Sequence, residues 1–136
     1  MTKIMLVEDN IRARHALKAL ISQQEGIIVI AEASNGQEAI CKIEAQVPDI
    51  ILMDMRMPVM DGLEATKIIK ARWGQIKIII LSMYADRQAD VLSAGADSFL
   101  AKGCSIDVIA SIVHSLTGAF TIPGASPLEK IPPQIA

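Results

Sequence analysis

Asp49-Ile50-Ile51-Leu52-Met53-Asp54-Met55-Arg56-Met57-Pro58, residues 49–58, contains an unbroken apolar run that ends abruptly in a carboxylate. Ile50 to Met53 show no alternation with polar residues, which is the pattern of a strand covered on both faces. Pro48 precedes the run, and Asp49–Asp54 is read as a strand. Met57-Pro58 then breaks the chain, because proline fixes φ and offers no amide donor. A strand covered on both faces needs a layer above and a layer below.

The flanking sequence supplies those layers. Toward the N-terminus, Ile4–Val7 reads as a strand and 11–24 as a helix, with Asn10 as N-cap and Leu17, Leu20 and Ile21 on one side. Residues 27–31 read as a second strand. Asn35 and Glu38 have capping-box spacing ahead of a helix carrying Ala39, Ile40 and Ile43. Beyond Pro58, residues 62–72 read as a helix ending near Gly74, and 76–82 as a fourth strand. Residues 86–94 read as a helix stopped by Gly95, and 98–101 as a short fifth strand. Ser105 caps a last helix with Ile109, Ile112, Val113 and Leu116 on one side. Five βα units with right-handed crossovers predict an α/β fold: a doubly wound, five-stranded parallel sheet with helices on both faces. By analogy the strand order is the flavodoxin-like 2-1-3-4-5.

The 136 residues suit one domain, expected over 1–118. Pro123, Pro127, Pro132 and Pro133 punctuate 119–136, which has no helical or strand period and is expected to be a linker or disordered tail. The composition is 51% hydrophobic with only 3% aromatics, so the core must be aliphatic. Thirteen basic against 15 acidic residues give a net charge of −2, which argues against direct nucleic-acid binding by this segment through phosphate neutralisation. No apolar run approaches the roughly 18 residues of a membrane span, and no cleavable leader is visible after Met1. Cys41 and Cys104 lack metal-ligand spacing and are expected to be reduced thiols in a cytoplasmic protein. His15 and His114 fall on helices away from the strand ends and are not expected to be ligands.

In open α/β sheets, ligands bind outside the carboxyl ends of the strands. Glu8 and Asp9 stand after the first strand, Asp54 ends the third, Ser82 ends the fourth, and Lys102 follows the fifth. With strands one and three adjacent, three carboxylates would converge. They must either share a proton or hold a cation. Their oxygen-only donor set favours Mg²⁺, with the backbone carbonyl of Arg56 as a further ligand. A carboxylate nucleophile, Mg²⁺, a lysine and a hydroxyl together suit the stabilisation of a transferring phosphoryl group. Taken singly, each residue has an ordinary explanation: acids at a helix N-terminus, a strand-end Asp, a capping Ser, a solvated Lys. Their convergence on one sheet edge outweighs those separate explanations.

The motifs Ile-Met-Leu-Val-Glu-Asp-Asn at 4–10, Asp-Ile-Ile-Leu-Met-Asp-Met-Arg-Met-Pro at 49–58 and Met-Asp-Gly at 60–62 belong together. So do Ile-Leu-Ser at 80–82, Ala-Gly-Ala-Asp at 94–97 and Phe-Leu-Ala-Lys at 99–102. With them the chain resembles the receiver domain of two-component response regulators. The resemblance implies that Asp54 is phosphorylated by a sensor histidine kinase. It implies Mg²⁺ bound by Asp9, Asp54 and the Arg56 carbonyl, with Glu8 acting through water. Ser82 would turn to the phosphoryl group, Lys102 would ion-pair with it, and Pro58 and Gly62 would shape the loop after Asp54. Phe99 is either the switch aromatic of the family or an ordinary core aromatic on an edge strand. Such a domain is a phosphoacceptor with slow self-dephosphorylation, not a turnover enzyme.

Two departures from the commonest receiver pattern stand out. Gly103 replaces the frequent proline after the lysine, and Met83 replaces a small residue after the serine. Met83 would narrow access to the phosphoryl group. Both departures resemble the NarL-like group, whose output is a LuxR-type helix-turn-helix. The expected partners are therefore a sensor kinase, a second copy in a homodimer, and DNA through a domain C-terminal to the tail. A stand-alone receiver or a phosphorylation-independent interaction module is the alternative. Two rivals fare worse. An aspartyl phosphatase of the haloacid dehalogenase type needs an acid two residues after Asp54, where Arg56 stands. A flavin or dinucleotide carrier needs a Gly- or Ser/Thr-rich loop where Glu8-Asp9-Asn10 stands.

Overall fold

The computed structural model describes residues 1–118; the proline-rich stretch 119–136 lies outside the described residues. Five strands alternate with five helices: β1 (Thr2–Val7), α1 (Ile11–Ser22), β2 (Ile27–Ala33), α2 (Gly36–Ala45), β3 (Ile50–Asp54), α3 (Gly62–Arg72), β4 (Lys77–Ser82), α4 (Gln88–Ser93), β5 (Ser98–Ala101) and α5 (Ile106–Thr117). All strand pairs are parallel, and the order is β2-β1-β3-β4-β5, as expected.

Strand periodicity of two divides the apolar residues between the two faces. Met5, Val7, Ile51, Met53, Ile78 and Ile80 meet Ile40 and Ile43 of α2, Ile69 of α3 and Val91 of α4. Ile4, Leu6, Ile50, Leu52, Ile79 and Leu81 meet Ile21 of α1 and Ile109, Ile112 and Val113 of α5. The central strands β1, β3 and β4 are thus apolar on both sides, while the edge strands β2 and β5 are only partly covered.

The local punctuation follows the side chains. Asn10, Asn35 and Ser105 each accept a hydrogen bond from the amide three residues on, of Ala13, Glu38 and Val108 respectively. Asp61, not among the expected caps, caps α3 in the same way, accepting from the Glu64 amide. The capping box at Asn35 is only half formed: Glu38 accepts from the Ser34 hydroxyl at 2.8 Å and pairs with Lys42. Gly118 ends α5 with φ +70°, the left-handed conformation glycine tolerates.

Several boundaries differ from expectation. β1 starts at Thr2 and β2 runs on to Ala33, because the paired strands continue in register from Thr2↔Ile27 to Val7↔Ala33 across one irregularity. α1 stops at Ser22. α4 begins at Gln88, two residues late, with Arg87 at its N-cap and no side-chain cap bond. Leu20 is 47% exposed rather than packed with Ile21, because it lines a cavity of about 220 Å³ between α1, α5 and the sheet.

Candidate functional site

The register of the sheet creates the site. Val7 lies beside Met53, so Glu8 and Asp54 follow on neighbouring strands, and Ser82 lies beside Ala101, with Lys102 next along the chain. Glu8, Asp54 and Ser82 are only 6%, 8% and 4% exposed, whereas Asp9 is open to solvent. One carboxylate oxygen from each of Glu8, Asp9 and Asp54 lies within 4.8 Å of the others.

Lys102 bridges two of these acids. Its Nζ lies 2.6 Å from Glu8 Oε1 and 2.9 Å from Asp54 Oδ2. Burial works to lower the Lys102 pKa, but the hydrogen bonds to Glu8 and Asp54 outweigh it and hold the ammonium above the ordinary lysine value. Asp9 is pushed up, first by its partial desolvation in the crevice and then by the hydrogen bond and like charge of Glu8. Three carboxylates face one ammonium, so the crevice carries excess negative charge. Its donors are all oxygen, the set that hard divalent cations prefer.

The loop after Asp54 is tightly shaped. The Gly62 amide donates to the Met55 carbonyl at 2.8 Å, and a Cβ at Gly62 would sit 2.5 Å from the Asp54 carbonyl oxygen. The start of α3 therefore presses on Asp54 in a way only glycine allows. The Met60 amide donates to the Pro58 carbonyl at 2.7 Å across Val59, whose φ is +69°. This is the strained form of γ-turn.

The Ser82 hydroxyl donates to the Tyr84 carbonyl at 2.8 Å and accepts from the Tyr84 amide at 3.2 Å, so it is engaged within its own loop. Met83 is 69% exposed and Phe99 packs half-buried against the α2/α3/α4 core. The Arg56 side chain pairs with Asp86 at 3.4 Å and lies over the Tyr84 ring at 5.2 Å, tying the loops after β3 and β4 together. That tie was not legible in the sequence, because Arg56 and Asp86 are brought together only by tertiary packing; nor was the short-range Arg14 bond to the Glu8 carbonyl at 2.7 Å, because the side chain that reaches it is also held by Glu32 from β2. Burial pushes the Cys104 thiol up, which suits an inert thiol. His15 is exposed on α1, and His114 lies near Gly26, remote from the acids.

A doubly wound parallel sheet of order β2-β1-β3-β4-β5, with an acidic, lysine-bridged crevice at its carboxyl edge, defines the flavodoxin-like class of α/β domain. Residues 4–114 match the response regulator receiver domain, and the chain belongs to that family. It is 38% identical over 126 residues to the transcriptional regulatory protein LnrK of Bacillus subtilis, covering 90% of this chain and 57% of that one. The chain spans about half the length of the curated relatives it matches. Among solved structures, a LuxR-family two-component response regulator from Aurantimonas superposes with a TM-score of 0.80 at 30% identity, covering 87% of this chain and 86% of that one. A chain of the CheX-CheY-BeF3-Mg²⁺ complex from Borrelia burgdorferi superposes with a TM-score of 0.79 at 26% identity, covering 85% of this chain and 89% of that one. Among the described residues, no helix is long and apolar enough to cross a membrane.

Proposed function

We propose that Asp54 accepts a phosphoryl group from a sensor histidine kinase, and that the phosphorylated domain is the on-state of a signalling switch. The observation that carries this reading is the grouping of Asp54 with Glu8, Asp9 and Lys102 in one buried crevice. A carboxylate oxygen of Asp54 attacks phosphorus, the phosphorus–nitrogen bond to the donor histidine breaks, and an acyl phosphate forms. Asp9, Asp54 and the Arg56 carbonyl would hold Mg²⁺, with Glu8 acting through water. When bound, the ion supplies charge neutralisation for the phosphoryl oxygens. The similar CheX-CheY-BeF3-Mg²⁺ complex from Borrelia burgdorferi supports the assignment.

The new group brings nearly two negative charges and three acceptor oxygens. Lys102 ion-pairs with them, and Ser82 exchanges its bonds to Tyr84 for one to the phosphoryl group. Met83, beside Ser82, limits the approach of hydrolytic water, and Pro58 and Gly62 keep the loop after Asp54 in shape. Phe99 moves with Ser82 as the switch aromatic. Arg56 stands where an aspartyl phosphatase would carry its acid, so the domain holds the group as a signal and releases it slowly. In the longer protein of which relatives such as LnrK are examples, the reading extends to transcription control in the cytoplasm through a C-terminal DNA-binding domain, with dimerisation of the receiver.

Incubation with a small-molecule acyl phosphate and Mg²⁺ tests the chemistry. Acid-labile phosphate is expected on the wild type, none on Asp54→Asn, and none when Mg²⁺ is chelated. Equal incorporation into Asp54→Asn would overturn the assignment.

A further inference from the structure

Asp9 is exposed on a short loop, yet a metal ligand must be held in place to be useful. Its anchoring comes from the residue before it. The Glu8 amide donates to the Ala33 carbonyl at 3.0 Å, which ties it to β2. The Glu8 carboxylate meets Lys102 and accepts from the Asn10 amide at 3.2 Å. The Glu8 carbonyl accepts from Arg14 Nη1 at 2.7 Å. That carbonyl belongs to the planar peptide joining Glu8 to Asp9, so holding it fixes the plane from which the Asp9 side chain departs.

Arg14 is itself held. Its side chain is only 14% exposed, and its Nε lies 3.1 Å from Glu32 Oε1 on β2. Glu32 also takes Lys18 Nζ at 2.9 Å. A planar guanidinium can serve the carbonyl and the carboxylate at once, which a point-charge ammonium does less well. The fork therefore spans from β2 to the peptide between the two acids.

We propose that Arg14 is a positioning residue for the Glu8-Asp9 pair and thereby for the divalent cation bound there; this rests on the Mg²⁺ reading above. Charge and position make opposite predictions. Arg14 places a positive charge near the cation, so by Coulomb's law alone its removal would tighten Mg²⁺ binding. Its removal as a positioning group loosens the carboxylate geometry and weakens binding. Groups that orient metal ligands from behind typically contribute about 10–100-fold in affinity.

The experiment is a calorimetric Mg²⁺ titration of the full chain, well below its unfolding temperature, on wild type, Arg14→Met, Arg14→Gln, Lys18→Met and Asp9→Asn. Circular dichroism checks that each is folded. Wild type is expected to bind, and Asp9→Asn to lose binding. The Kd of both Arg14 variants is expected to rise by about tenfold. Lys18→Met removes the other cation on Glu32 without touching Glu8, and is expected to leave the Kd unchanged. Should Arg14→Met fail to fold, Arg14→Gln carries the same expectation with a milder change. Arg14 variants that bind as tightly as wild type, or tighter, overturn the proposal, as does an equal loss in Lys18→Met. A wild type that binds no Mg²⁺ overturns instead the function proposed above, and this inference with it.

Discussion

Val59 carries a φ of +69° while 82% exposed, in the loop between Asp54 and α3. A β-branched side chain has little freedom in that conformation, and nothing is gained from packing at so exposed a position. Strain of this kind costs of order 1–3 kcal/mol and tends to collect beside functional sites. Asn tolerates positive φ better. Val59→Asn is therefore expected to stabilise the fold by about 1 kcal/mol, read as a higher urea midpoint with an unchanged slope. The residues of the crevice differ in how much the sequence revealed. Asp54 was legible because it terminates an apolar run, and Glu8 and Asp9 because they end another. The strain at Val59 was not, because nothing in Pro-Val-Met states a sign of φ.

The link between β2 and α1 is carried by charge. Glu32 is held below the ordinary carboxylate range, first by its hydrogen bond from Lys18 and then, against an opposing effect of burial, by Arg14. A carboxylate whose folded pKa is depressed stabilises the fold above its unfolded value and loses that contribution as pH falls through the lowered folded value. The wild-type advantage over Glu32→Gln is thus expected to be full at neutral pH and to shrink below the ordinary value of 4.5. Urea midpoints of both proteins across pH 7 to 3 check this (about the range where carboxylates titrate). A constant difference across that range would contradict it. Helix ends were partly legible: Asn10, Asn35 and Ser105 announce their caps, because capping acts over three residues of sequence. The start of α4 is not legible for the converse reason, since Arg87 provides no side-chain cap to mark it.

Both helical layers pack on the same strands, so the two cores should melt together. Ile51 faces α2 and α3, Ile79 faces α1 and α5, and neither is exposed at all. Ile51→Ala and Ile79→Ala are each expected to cost about 2–5 kcal/mol, in a single cooperative urea transition seen alike by circular dichroism and Trp73 fluorescence. Separate transitions for the two probes would show that the layers are independent.

Strand runs, their lack of alternation and the βα alternation itself were all present in the residue order, because burial on both faces leaves its mark on nearly every position of β1, β3 and β4, Lys3 and Lys77 at their starts excepted. That was enough for a doubly wound parallel sheet and for a list of acids, a serine and a lysine at one edge. The distances depended on the folded chain. Only register brings Glu8 beside Asp54, only the turn after β5 brings Lys102 onto both, and only the packing of α1 against β2 lets Glu32 hold Arg14 against the Glu8 carbonyl. Apart from the six-residue reach of Arg14 back to the Glu8 carbonyl, those pairings join residues 18 or more apart in sequence, and no local preference encodes a contact whose partner arrives from another element.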